Sequence, residues 1–350
     1  MYKRKVAIAC QGGGSHAAFA AGVLCGLLAD DWFEDQYTLT ALSGTSGGAV
    51  CASLAWTGWV SGATDRRAEA IGRLRGFWGD LEASGPFDAW MNYWTVAAAR
   101  LPVTVEVSPY LYWPFAEWRM RELLERYLQL EKLPRYPHLP ADPKLLIGVT
   151  DILRGEGRPK VGETLTYDDV IASAAIPPLF RAVRDERNHT CYWDGLFNRN
   201  PPIREFTDLE LAERPQEIWV VRLNPIERYS EPVSIRDIID RRNELAGNLA
   251  LDQELYHIGK VNELIVQKRL SGYQRIDLRQ VQMPASDLDY PSKLDRSPSH
   301  LRALFDAGAR AAPEFFQPKS IIELETLKRK LKASQPAPVQ ASPPVTRWTA

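Results

Sequence analysis

The sequence lacks a dominant charge, an apolar run long enough to span a bilayer, and enough cysteine for a disulfide scaffold. Its 43 basic and 44 acidic residues leave a formal charge of −1. No global field therefore draws the chain to nucleic acid or to an anionic membrane, and any lipid contact has to be local. Nothing approaches the roughly 18 consecutive apolar residues of a transmembrane helix. The basic start, Met1 to Lys5, leads into an apolar stretch broken at Gln11 by three glycines, which is not the pattern of a secretory signal. The four cysteines, Cys10, Cys25, Cys51 and Cys191, have neither metal-ligand nor disulfide-framework spacing. They fit buried thiols of a reducing compartment. The expectation is a cytoplasmic protein without metal or organic cofactor.

What the sequence does contain is a strand-turn-helix unit written twice in succession. Val6 to Cys10 is a short apolar run ending at Gln11-Gly12-Gly13-Gly14, and Ser15 to Leu28 follows with helical spacing. Leu39 to Ser43, Gly44 to Gly48 and Ala49 to Trp56 repeat the pattern. Such tandem units predict a three-layer α/β/α fold around a mainly parallel sheet. Further strands are expected at Lys144 to Thr150, Thr190 to Trp193 and Ile218 to Leu223. Between about 66 and 130 lies a helical insertion rich in Trp, Tyr and Phe; rings at that density more often fill a core than face lipid. Ile235 to Leu270 is one long helical pattern, with Ile238, Leu245, Leu249, Leu255 and Ile258 near one stripe. The expected organisation is one domain over 1–332, with a motif-bearing core at about 5–223, a C-terminal helical part at about 234–332, and a disordered Pro-rich tail over 333–350.

Gly44-Thr45-Ser46-Gly47-Gly48 fits G-x-S-x-G between a predicted strand and helix, the setting of a nucleophile elbow. The sharp turn requires small neighbours, which Gly44 and Gly48 supply. A serine hydroxyl is a weak nucleophile and needs a base and oxyanion donors. Gly12, Gly13 and Gly14, at a strand end leading into a helix N-terminus, are candidate donors. Gly12-x-Gly14-x-x-Ala17 also satisfies a dinucleotide fingerprint, but the acidic residue that reading requires at the end of the second strand is missing, where Leu42-Ser43-Gly44 stands. Asp194-Gly195, ending the strand from Thr190, is the leading candidate for the base. A histidine base, His257 or His300, would match the chain order of a Ser-Asp-His hydrolase, but there the nucleophile follows more of the sheet than Ser46 does. His16, beside the glycine turn, should have its charged form disfavoured by the helix N-terminus.

Taken in order, Gln11-Gly12-Gly13-Gly14, Gly44-Thr45-Ser46-Gly47-Gly48, Ala172-Ser173-Ala174-Ala175-Ile176-Pro177-Pro178-Leu179-Phe180 and Asp194-Gly195 with Asn200-Pro201-Pro202 resemble the signature of the patatin-like phospholipases over about residues 5–223. The resemblance implies a Ser46–Asp194 catalytic dyad, an oxyanion hole at Gly12 to Gly14, and a lipid or other acyl-ester substrate. Transient contact of the aromatic insertion with a membrane surface is compatible with it. The chain departs from the family pattern at His16 and Ala17, usually a basic residue and glycine, and at Leu196, usually small. Two other readings remain: a thioester or intracellular polyester cut by the same dyad, and a non-catalytic lipid-binding protein.

Overall fold

A computed structural model of the chain describes residues 3–100, 107–111, 113–136, 139, 143–210, 213–228, 230–284 and 289–333. Its centre is a single sheet. Strands β1 (Arg4–Cys10), β2 (Tyr37–Thr45) and β3 (Lys144–Asp151) run parallel, as do the later β7 (Glu217–Arg222) and β8 (Asp277–Gln282). Three shorter strands, β4 (Lys160–Val161), β5 (Val183–Asp185) and β6 (Thr190–Asp194), are antiparallel additions on the β3 side. The order across the sheet is β5-β6-β3-β2-β1-β7-β8, with β4 pairing β3.

Both faces of this sheet are covered, which is why its central strands are apolar along their whole length. In β1, Val6, Ile8 and Cys10 face one core and Ala7 and Ala9 the other. The larger core lies under α1 (Ala17–Ala29), α3 (Gly47–Trp59), α4 (Arg66–Leu81), α6 (Phe115–Leu128) and α9 (Pro298–Ala311). The smaller is closed by α8 (Ile235–Val266) and α10 (Leu324–Ala333). Short α2 (Asp31–Gln36) starts at an Asp30 side chain that accepts from Trp32 N, and α7 (Tyr167–Ser173) at a reciprocal Thr166/Asp169 capping box. Peripheral α5 (Pro86–Arg100) packs on the Pro291–Lys293 turn.

The structure differs from the sequence expectation in four places. The strand β8 lies inside the C-terminal part expected to be helical; its sequence, Asp-Leu-Arg-Gln-Val-Gln, makes an edge strand whose outer positions are polar. Helix α8 is unbroken from Ile235 to Val266, but its apolar stripe does not face the core: Ile238, Leu245 and Leu249 are exposed, and only Leu255 and Ile258 are buried. The aromatic insertion buries Phe77 and Trp78 and leaves Phe87, Trp90, Tyr93, Trp94, Tyr110 and Trp113 exposed, so most of these rings do not fill a core. Helix α10 reaches Ala333, the first residue of the expected tail; 334–350 lie outside the described residues.

Trp219 sits at the middle of β7 with no exposed surface, ringed by Phe33, Tyr37, Phe315 and Phe316. Its Nε1 donates to Glu217 at 2.7 Å. Trp219→Ala leaves a large void and should cost about 3–5 kcal/mol of stability, read as a shift in the urea midpoint; a loss below about 1 kcal/mol would contradict this packing.

Candidate active site

The C-terminal ends of β1 and β2 lie side by side, with Cys10 opposite Gly44. Each strand then turns sharply into a helix, and the two turns touch. A Cβ on Gly12 would stand 2.7 Å from the Thr45 carbonyl oxygen and 2.8 Å from the Ser46 Cβ. A Cβ on Gly48 would meet the Cys10 carbonyl oxygen at 2.2 Å, and one on Gly44 the Gly48 carbonyl oxygen at 2.2 Å. No other residue type permits such an approach.

Ser46 itself has φ 56° and ψ −130°, a region that residues with a side chain rarely enter. Holding a residue there costs on the order of 1–3 kcal/mol, sustained by the surrounding contacts. Two of those contacts are visible: Ser46 N donates to Ser173 Oγ at 2.9 Å, and Ser173 Oγ donates in turn to Gly148 O at 2.7 Å. Ser173 belongs to the Ala172–Phe180 stretch already singled out in the sequence, where nothing indicated this positioning role. The turn leaves the Ser46 side chain half-exposed at the tip.

Asp194 reaches the same rim by an unexpected route. Its strand β6 is antiparallel to β3, entering opposite Asp151 and stopping opposite Val149. Since Gly148 pairs with Thr45, Asp194 ends level with Ser46, two strands across. Two hydrogen bonds to its main chain fix it there, from Asp194 N to Ala175 O at 3.1 Å and from the Thr150 hydroxyl Oγ1 to Asp194 O at 2.9 Å. The carboxyl group is 1% exposed, accepts from Leu196 N at 2.9 Å, and lies near enough to the Ser46 hydroxyl for that group to favour its charged form. Burial lifts its pKa from the ordinary carboxyl value to about 7, against the smaller opposing pull of the Leu196 N–H and the Ser46 hydroxyl. It makes no ion pair among the described residues.

The three candidate oxyanion glycines separate into two groups. Gly12 N does not face the pocket; it donates to the buried Asn200 Oδ1 at 2.8 Å, so its part is the close approach to Ser46. Gly13 is half-buried and Gly14, at φ +57°, exposed, and their N–H groups have no partner among the described residues. The N–H of Gly47, first residue of α3, is a further unpaired donor at this rim that the sequence reading did not single out. Gln11 secures the β1 end: its Oε1 accepts from Leu223 N and Asn224 N, both at 2.9 Å, and its Nε2 donates to Asn248 Oδ1 at 3.0 Å.

The histidines are arranged otherwise. His257 is exposed on α8, and His300 on α9 bonds the Ser292 carbonyl at 3.0 Å. Neither weighs on Asp194. His16 is buried, 2.8 Å from Ser292 Oγ, and its pKa falls to about 3. The expected direction holds, but the main cause is burial, followed by Lys293 and His300, rather than the helix terminus. Among the described residues no cluster of His, Cys, Asp and Glu could hold a metal ion, and no helix is long and apolar enough to cross a membrane.

No family model and no curated protein matches the sequence. Among solved structures the chain is similar to VipD from Legionella pneumophila, at 14% identity and a TM-score of 0.41, covering 92% of this chain and 68% of that one. It is also similar to the type III effector protein ExoU, at 11% identity and a TM-score of 0.35, covering 93% of this chain and 53% of that one. Likenesses this distant carry no chemistry with them; what the site can do follows from its own atoms.

A carboxyl whose folded pKa is raised retains a proton that the unfolded chain has already released. Its stabilising contribution is complete below about pH 4 and is lost as pH rises to about 7. Asp194→Asn removes that loss. The variant should match the native chain in urea unfolding at pH 4 and exceed it at pH 8; equal midpoints at both pH values would show that Asp194 is not raised.

Proposed function

We propose that this chain is a serine acyl hydrolase that cleaves lipid esters through a covalent acyl-enzyme, with Ser46 as nucleophile and Asp194 as general base. The observation that carries the reading is the pairing of a half-exposed serine on a strained elbow with a buried carboxyl group whose pKa lies near 7. A base is most effective when its pKa lies near the working pH, and an ordinary aspartate would be too weak.

In the forward step Asp194 takes the Ser46 hydroxyl proton as Oγ bonds to the ester carbonyl carbon. The resulting oxyanion takes hydrogen bonds from backbone N–H groups at Gly13, Gly14 and Gly47, the donors left unused at this rim. Collapse breaks the bond to the alcohol, which leaves with the proton held by Asp194. Water, losing a proton to Asp194, then attacks the acyl-enzyme, and the acid departs as the serine is re-formed. Nothing in this sequence of steps calls on a metal or an organic cofactor. The ordered motifs described above favour a lipid ester as substrate, and Leu223, against Gly13, gives the turn an apolar neighbour.

The test is hydrolysis of a soluble p-nitrophenyl acyl ester. Ser46→Ala and Asp194→Asn should each lower kcat/KM on the order of 1000-fold or more, whereas His257→Ala and His300→Ala leave it within about twofold. The native rate should climb with pH through about 7 and level off, following ionisation of Asp194. A fluorophosphonate that labels the native protein but not Ser46→Ala would report the nucleophile directly; rates unaffected by Ser46→Ala would end the proposal.

A further inference from the structure

Helix α5 is built inside out. Its apolar stripe, Phe87, Trp90, Met91 and Trp94, recurs at i, i+3, i+4 and i+7, the spacing by which a surface helix buries one face. Here that stripe points outward: Phe87 is 72% exposed, Trp90 56% and Trp94 54%. The face turned inward carries Asp88 and Asn92 beside the small Ala99. Asn92 Nδ2 donates to Asp295 Oδ1 at 2.9 Å, Arg296 N donates to Asn92 Oδ1 at 2.8 Å, and Arg296 pairs with Asp88 at 2.7 Å.

The first turns of α8 repeat the inversion. Ile235, Ile238, Leu245 and Leu249 lie on the solvent side, with exposed Arg242 on the same stripe. Buried beneath them are Asp240 and Glu244, held by Lys293 at 2.6 and 2.8 Å and by Arg228. The two inverted helices adjoin, since Arg236 of α8 donates to the Ala98 carbonyl of α5. The inner side of these helices adjoins the elements of the candidate site. The Pro291–Lys293 turn carries α5 and places the Lys293 carbonyl against Gly14, while Asn248 of α8 holds Gln11.

The acids of this face have partners: Asp88 pairs with Arg296, Asp237 accepts from the Ser234 hydroxyl, and Asp240 and Glu244 are held by half-buried Arg228 and Lys293. Arg100 and Arg242 are exposed. An outward surface of indole and aliphatic groups with arginine, its acids each paired, complements a bilayer interface: the indoles settle at the head-group level and the guanidinium groups meet phosphate. A protein partner would be expected to meet a mixed polar rim instead.

We infer that the outward face of α5 and the N-terminal half of α8 docks this protein on an anionic lipid bilayer, with the Ser46 site beside the docking face. The inference deepens the lipid-ester reading, and binding measured in a Ser46→Ala background can fail or succeed independently of that reading.

Sedimentation with vesicles of phosphatidylcholine and phosphatidylglycerol tests it, using full-length Ser46→Ala chain and the same chain carrying Trp90→Ser with Trp94→Ser, Ile238→Ser with Leu245→Ser, or Arg242→Glu. Each apolar pair should lower partitioning at least tenfold. Arg242→Glu should lower it severalfold on anionic vesicles and little on pure phosphatidylcholine. In the Ser46-bearing chain the Trp pair should retain turnover of the soluble ester and lose turnover of vesicle lipid. Because these side chains are exposed, unchanged thermal melting is expected of every variant. Three results would overturn the inference: no binding by the unsubstituted chain, binding indifferent to the Trp and Ile/Leu pairs, or a stable dimer in gel filtration that the same substitutions dissociate without changing vesicle binding.

Discussion

The close approach of two backbone turns, the end of β1 at Gly12 and the elbow at Ser46, is the constraint on which the rest of the site depends. It is a steric condition before it is a chemical one. Only where no Cβ intervenes can the β1 turn lie against the Ser46 side chain. The sheet makes the approach possible by pairing β1 and β2 in register, and the buried Gln11, Ser173 and Asn200 side chains tie down the backbone around it. Gln11 and Ser173 are paired, as the low dielectric of an interior demands, whereas Asn200 uses its Oδ1 and leaves Nδ2 buried without a partner among the described residues.

Electrostatics is then layered on that geometry. Asp194 is brought level with Ser46 by a strand running against the others, and its surroundings supply hydrogen bonds but no cation. His16, a few residues beyond the glycine turn, is pushed in the opposite sense, towards neutrality, by the same burial. One physical cause, desolvation, thus disfavours charge on both groups: it makes the carboxyl more basic and the imidazole less so.

The repeated strand-turn-helix units were legible in the sequence because strands buried on both faces are written as unbroken apolar runs, as in Val6 to Cys10, and because glycine marks the turns. The serine elbow and the Asp194-Gly195 turn were legible for the same reason. What escaped was whatever depends on partners distant in the chain. Nothing local tells that Asn200 takes the Gly12 N–H, or that β6 enters antiparallel. Periodicity gave α8 as a helix but not its faces: the residues grouped into one stripe divide, with Ile238, Leu245 and Leu249 outward and Leu255 and Ile258 inward. Half of that stripe lies over the Asp240–Glu244–Lys293 cluster, and that cluster, not the aliphatic side chains, is what the helix buries there. The Asp277–Gln282 strand was missed because an edge position tolerates polar residues at alternate sites, leaving little contrast with a loop.

That Asp194 is lifted by burial rather than by a neighbouring charge fixes what can perturb it. Dissolved ions screen one charge from another across solvent, and among the described residues no second charge acts on this carboxyl group, so its basicity should depend little on ionic strength. It is sensitive instead to wetting. Any loosening of the packing over Leu196 or Ala175 that admitted water to the carboxyl group would return it towards an ordinary aspartate and weaken it as a base, with both side chains of the pair still in place.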